Sequence, residues 1–71
     1  MSARLIRMKE VITKTGLSRS RIYQYIGEGR FPASVSLGGR SVCWIESEVD
    51  KWIEDTIGRR DSNILYGYDL N

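Results

Sequence analysis

The chain has 71 residues, 41% of them hydrophobic and 28% charged, with a net charge of +2 and one cysteine. A chain this short makes one domain and buries only about 60% of its unfolded surface, so most large apolar residues are needed in a single core. One cysteine and no histidine exclude an internal disulfide, leave a structural zinc site without its usual ligands, and remove the commonest general base of catalysis.

Leu5 and Ile6 read as a short extended entry. A first helix is expected over residues 8–15, because Met8, Val11 and Ile12 follow the i, i+3, i+4 pattern. Glu10 and Lys14 stand four apart, the favourable order for an exposed pair on that helix. Gly16 follows as a stop. Ser18 is a good N-cap for a second helix over residues 18–28, since its hydroxyl can accept from a free N–H of the first turn. Ile22 and Ile26 face inward with Tyr25 beside them, which points residues 19, 20, 23, 24 and 27 outward. Gly29 ends the helix and Pro32 blocks its resumption.

In "ASVSLGGRSVCWI", Val35 and Leu37 alternate with Ser34 and Ser36, and Val42 and Trp44 alternate with Ser41 and Cys43. Two period-2 runs around Gly38, Gly39 and Arg40 predict a β-hairpin, one face of which must pack on the helices. A third helix starts near Glu46 or Ser47. Ser47 and Asp50 form a possible capping box, and Glu46, Glu48 and Asp50 suit the positive end of the helix dipole. Val49, Trp52, Ile53 and Ile57 form its apolar stripe and Gly58 marks its end. Periodicity places Trp44 and Trp52 in the core, and Cys43 is read as inert. The domain is thus drawn as residues 1–58. Residues 59–71 form a tail, flexible or docked on a partner through Ile64, Leu65, Tyr66 and Tyr68, with Asp61, Ser62 and Asn63 as loop.

Helix, glycine turn, helix, hairpin, helix is the order of a small α+β winged helix-turn-helix, with a two-stranded wing between helices two and three. In that fold the second helix can enter the major groove, where base edges carry distinguishable donor and acceptor patterns. The charge distribution agrees: residues 1–31 carry seven basic and two acidic groups, net +5, against −1 for residues 32–60 and −2 for residues 61–71. A basic half suits a polyanion. The candidate DNA contacts on the recognition helix are Ser18, Arg19, Ser20, Arg21, Tyr23 and Gln24. Gln24 has the groups for adenine and arginine those for guanine. On the wing and backbone the candidates are Arg30, Gly39, Arg40 and Ser41. Arg40 is either a phosphate or minor-groove contact or a solubilising turn residue, and Arg30 is either a phosphate contact or a cation at a helix C-terminus. No nucleophile stands with a base and no Gly-rich phosphate loop is present, so the expectation is a non-enzyme without cofactor or metal. The short apolar runs span no membrane, the start "MSARLIRMKE" lacks the apolar core of a signal peptide, and a cytoplasmic location is expected.

The strings "KEV…TGLSRS.IY", "EGRFP", "LGGRSV.W" and "ESEVDKWI", in that order, closely resemble the AlpA family of phage and prophage transcriptional regulators, from Arg4 to about Asp55. More distantly the chain is similar to excisionases and to the DNA-binding domain of MerR-type regulators. The resemblance implies a winged helix-turn-helix that binds double-stranded DNA in a sequence-specific way, with the recognition helix on residues 18–26 and the wing on residues 35–44. Family members often carry a small Thr or Ser where this chain has Arg21 and a basic residue where it has Gln24, so its specificity is expected to differ. The readings open at this point are a regulator of a mobile element that contacts or blocks RNA polymerase, an excisionase-like architectural protein that serves a recombinase, and a protein-interaction domain without DNA. A homodimer or a cooperative multimer on DNA is open for the first two.

Overall fold

The computed structural model describes residues 3–65 of the chain, with side-chain surroundings through Ser62. The elements are β1 (Leu5–Ile6), α1 (Met8–Thr15), α2 (Arg19–Gly27), β2 (Val35–Gly38), β3 (Ser41–Ile45) and α3 (Glu46–Leu65). The fold is α+β, with three helices and one antiparallel sheet of order β1-β3-β2. It has the element order of a winged helix-turn-helix. The hairpin between α2 and α3, expected as a two-stranded wing, is instead part of a three-stranded sheet. Leu5 pairs with Ile45 and Ile6 with Trp44. A two-residue strand has too little length to show a period, so the sequence alone reads it only as extended.

The core is built from Ile6, Met8, Val11, Ile22, Phe31, Trp44 and Val49, all buried. Ile12, Leu17, Tyr25, Ile26, Val42, Trp52 and Ile53 pack around it. Every element except β2 thus contributes to one cluster. Trp44 is fully buried, as the periodicity predicts, Trp52 is half-buried at the edge of the core, and both indoles bind the loop that leaves α2. The Trp44 Nε1–H donates to the Pro32 carbonyl at 3.1 Å, and the Trp52 Nε1–H donates to the Arg30 carbonyl at 2.7 Å. Phe31 lies between these two anchors, edge-on to Trp52 with ring centroids 5.0 Å apart. An indole N–H shielded from water needs a partner. Here those partners fix the path of the chain from the second helix into the hairpin.

Four expectations need correction. First, Glu10 and Lys14 do not pair with each other. Glu10 takes Arg4, while Lys14 reaches Glu46 at 3.1 Å and Asp50 at 2.9 Å on α3. The tertiary fold brings better-placed carboxylates to each cation than the weak helical pair supplies. Second, Ser47 is no cap, because α3 starts at Glu46 directly after β3. The Glu46 N–H donates to the Arg4 carbonyl at 2.8 Å, so the sheet ladder satisfies a donor that a capping side chain would otherwise take. Third, only β3 of the hairpin is buried: Cys43 and Trp44 are inaccessible, whereas β2 is exposed along its whole length, Val35 and Leu37 included. β2 is the edge strand, and no helix covers it.

Fourth, α3 does not stop at Gly58 but continues to Leu65, so 61–63 are helical and not a loop. Glycine costs about 1 kcal/mol relative to alanine inside a helix, which weakens it without ending it. Gly58 keeps a negative φ, unlike Gly16, Gly29, Gly38 and Gly39. The docking surface expected from Ile64, Leu65, Tyr66 and Tyr68 falls on side chains outside the described residues. A β-carbon at Gly58 would meet nothing within 4 Å. Gly58→Ala is therefore expected to stabilise the domain by about 0.4–1 kcal/mol. A thermal melt followed by far-UV circular dichroism should show Tm rise by a few degrees, and an unchanged or lower Tm would contradict a continuous α3. Among the described residues, no helix is long and apolar enough to cross a membrane.

Candidate nucleic-acid interface

The joint between α1 and α2 is closed by local chemistry. Gly16 takes φ 77° and its N–H donates to the Ile12 carbonyl, ending α1 in a left-handed turn. Ser18 is extended, and its hydroxyl accepts from the Arg21 N–H at 3.1 Å, which starts α2 as the sequence predicts. Ile22 is fully buried, and this fixes the rotation of α2 about its axis. At 100° per residue, Ser20 and Gln24 then stand almost opposite the core, with Arg19 and Tyr23 on one flank and Arg21 and Glu28 on the other.

Arg19, Ser20, Arg21, Tyr23 and Gln24 are all exposed. The Tyr23 ring lies 6.4 Å from the Trp44 ring at a tilt of 55°, so this flank leans on the central strand of the sheet. The other flank is a connected chain of polar groups. Arg21 Nη1 donates to Gln24 Oε1 at 3.3 Å, Gln24 Nε2 donates to Glu28 Oε2 at 3.2 Å, and Arg30 Nη1 donates to Glu28 Oε1 at 3.0 Å. Arg30 also sits over the Tyr25 ring at 4.4 Å, and Arg21 over the same ring at 5.9 Å. The hydrogen bond from Gln24, and after it the one from Arg30, holds the Glu28 carboxyl below its ordinary value. Sequence reasoning passed over Glu28. Its i, i+4 spacing from Gln24 was the available signal.

At the hairpin tip, Gly38 pairs with Ser41, so Gly39 and Arg40 form the turn. Gly38 has φ 107° and Gly39 φ 55°, backbone states that other residues resist. Arg40 and Gly39 are exposed, while Ser41 is half-buried and less available. No hydrogen bond among the described residues links Arg40 to α2. The structure therefore joins Arg21, Gln24 and Arg30 into one group and leaves Arg40 on its own projection.

The basic residues are sorted by their partners. Arg4 bridges Glu10 and Glu46, both at 2.7 Å, and Lys14 bridges Glu46 and Asp50. Hydrogen bonding to Glu10 raises the Arg4 guanidinium above its ordinary value, and hydrogen bonds to Asp50 and then Glu46 raise Lys14. The acidic start of α3 thus neutralises cations of the N-terminal half. Arg30, Lys51 and Arg60 have carboxylates as well. Among the described residues, Arg7, Lys9, Arg19, Arg21, Arg40 and Arg59 have none in ion-pair range.

Comparison with known proteins identifies the family. The chain is 47% identical over 66 residues to an uncharacterized protein, ORF88, of Enterobacteria phage P4, which covers 93% of this chain and 70% of that protein. It is 38% identical over 58 residues to the DNA-binding transcriptional activator AlpA of Escherichia coli K12, 73% of this chain and 83% of that one. The sequence profile described as prophage CP4-57 regulatory protein (AlpA) matches residues 4–57, which span both helices of the joint, the hairpin and the packed part of α3. The chain belongs to the AlpA family of phage-type regulatory proteins.

Proposed function

We propose that this protein binds duplex DNA sequence-specifically through α2, with the β2–β3 hairpin beside it, and regulates transcription of a phage or prophage. The observation that carries the reading is the rotation of α2. Gly16, the Ser18 cap and buried Ile22 turn Arg19, Ser20, Tyr23 and Gln24 outward on a short helix. The printed name of the Escherichia coli relative, a DNA-binding transcriptional activator, supports it.

In this reading Ser20 and Gln24 meet base edges, and Arg19 meets phosphate together with the α2 backbone N–H groups. Arg40 and the Gly39 backbone contact phosphate from the hairpin tip. Arg30 is held by Glu28 and Tyr25 and serves mainly to order the end of α2. The role is non-catalytic, and the mechanism is occupancy of a site near a promoter.

A protection footprint on DNA flanking its gene tests this. One protected site at a promoter is the expected result, whereas tandem sites with a bend beside an attachment sequence would favour the excisionase-like alternative. Replacing Ser20 or Gln24 with Ala should lower preference for the protected site over random duplex by about 1–3 kcal/mol. Arg40→Ala should weaken both to a similar extent. Equal losses on specific and random DNA for all three variants would remove α2 as the reading element.

A further inference from the structure

We propose that Arg21 and Glu28 are positioning residues that hold the Gln24 carboxamide in one orientation, and that Gln24 so held reads adenine with a fixed polarity along α2. The inference rests on the DNA-binding reading above and goes beyond it to the base read and to what sets it.

The chemistry of the two neighbours decides the orientation. A guanidinium only donates hydrogen bonds, and a carboxylate only accepts them. Arg21 must therefore meet the amide oxygen and Glu28 the amide nitrogen, at the observed 3.3 and 3.2 Å. The oxygen end of Gln24 faces the start of α2 and the nitrogen end faces its finish. Exchanging them would set donor against donor and acceptor against acceptor.

Neither bond exhausts the amide. The oxygen keeps a second lone pair and the nitrogen a second hydrogen. Gln24 stands nearly opposite buried Ile22, so this remaining acceptor and donor are on the solvent side of the helix. Adenine presents N6–H and N7 in the major groove, one donor and one acceptor side by side, which match that pair. Guanine presents two acceptors, O6 and N7, and does not. A free glutamine can turn its amide over to suit either direction of approach. A clamped one suits a single direction, and immobilising it beforehand removes part of the ordering cost of binding.

Arg21 is thereby assigned a role other than phosphate binding. Glu28, a negative charge on the DNA-facing helix, opposes phosphate while it aligns Gln24. Its removal should strengthen general affinity and weaken discrimination, a pair of opposite changes that simple loss of structure does not produce.

The test uses the full-length chain and a random duplex library, with the folding of each variant checked by circular dichroism. Wild type should select a sequence in which one position is adenine. The selected duplex, the same duplex with that base pair exchanged, and a random duplex are then titrated at several salt concentrations. Gln24→Ala should remove the adenine preference, a loss of roughly 10- to 100-fold. Arg21→Ala and Glu28→Ala should each reduce it by about 3- to 10-fold. Glu28→Gln, which keeps an acceptor for Gln24, should restore most of it. Arg21→Ala should leave the salt slope unchanged.

If Arg21→Ala instead keeps the preference and flattens the slope by about 0.9, Arg21 is a phosphate anchor and the inference falls. It also falls if Gln24→Ala leaves the preference intact, or if Glu28→Ala lowers selected and random binding alike. If wild type selects no sequence at all, the DNA-reading function fails first and takes this inference with it. That case is recognised because the duplexes retained by wild type then keep the random composition of the starting library.

Discussion

Trp44→Ala is expected to remove a large share of the domain's stability. Trp44 is the largest fully buried side chain, with no accessible surface. Truncating a buried Trp to Ala typically costs about 3–5 kcal/mol through lost transfer energy and the cavity left behind. A domain of this length has a total stability of roughly 4–11 kcal/mol, at about 0.05–0.15 kcal/mol per residue. The loss also leaves the Pro32 carbonyl without its indole donor and Tyr23 without the ring it leans on. Trp44→Phe should cost less, because it keeps most of the volume and loses the hydrogen bond. Urea titration read by far-UV circular dichroism measures both. A Trp44→Ala midpoint near that of the native chain would show that the sheet does not depend on this residue.

DNA affinity should fall steeply with salt, with log K against log salt sloping at about −3 to −5. The estimate follows from the charge partners. Six basic residues among the described ones have no carboxylate in ion-pair range, and those that reach phosphate release condensed counterions. Between 50 and 200 mM salt the affinity should drop roughly 60- to 1,000-fold. Arg19→Ala and Arg40→Ala should each flatten the slope by about 0.9. Arg4→Ala and Lys51→Ala, whose charges face Glu10, Glu46 and Asp55, should leave it as it is. A slope near zero for the native chain would point to a protein partner in place of DNA.

The helix-turn-helix was legible because its signals are local. Gly16, Ser18 and Gly29 act through their own backbone and cap geometry, and the Met8, Val11 and Ile22 spacings report one face of a helix each. The hairpin was legible for the same reason, through Gly38 and Gly39. Features made by tertiary contact were not. Phe31 sits in a loop with no period to mark it as core, yet it is buried against Trp52, and two indoles bond the carbonyls on either side of it. Lys14 has a good partner in sequence and better ones in space. α3 passes Gly58 because one weak position does not end a helix whose neighbours favour it.

The candidate site divides along the same line. Helical periodicity turned Arg19, Ser20, Tyr23 and Gln24 outward correctly. The links from Arg21 through Gln24 and Glu28 to Arg30 depend on side-chain directions at the end of α2, which periodicity does not supply. Ser41 was placed with Arg40 by adjacency alone, and it turns out half-buried because it begins the central strand.

The pairing of Leu5 with Ile45 has a consequence for how the protein is made. The first strand waits for a partner synthesised 40 residues later, about 2–8 s at 5–20 residues per second. During that interval α1 and α2 have neither Trp44 nor Val49 to cover Val11 and Ile22. α2 therefore has no stable platform until β3 and the start of α3 have been made. A nascent chain interrupted before Trp44 would carry the basic segment without the fold that aims it.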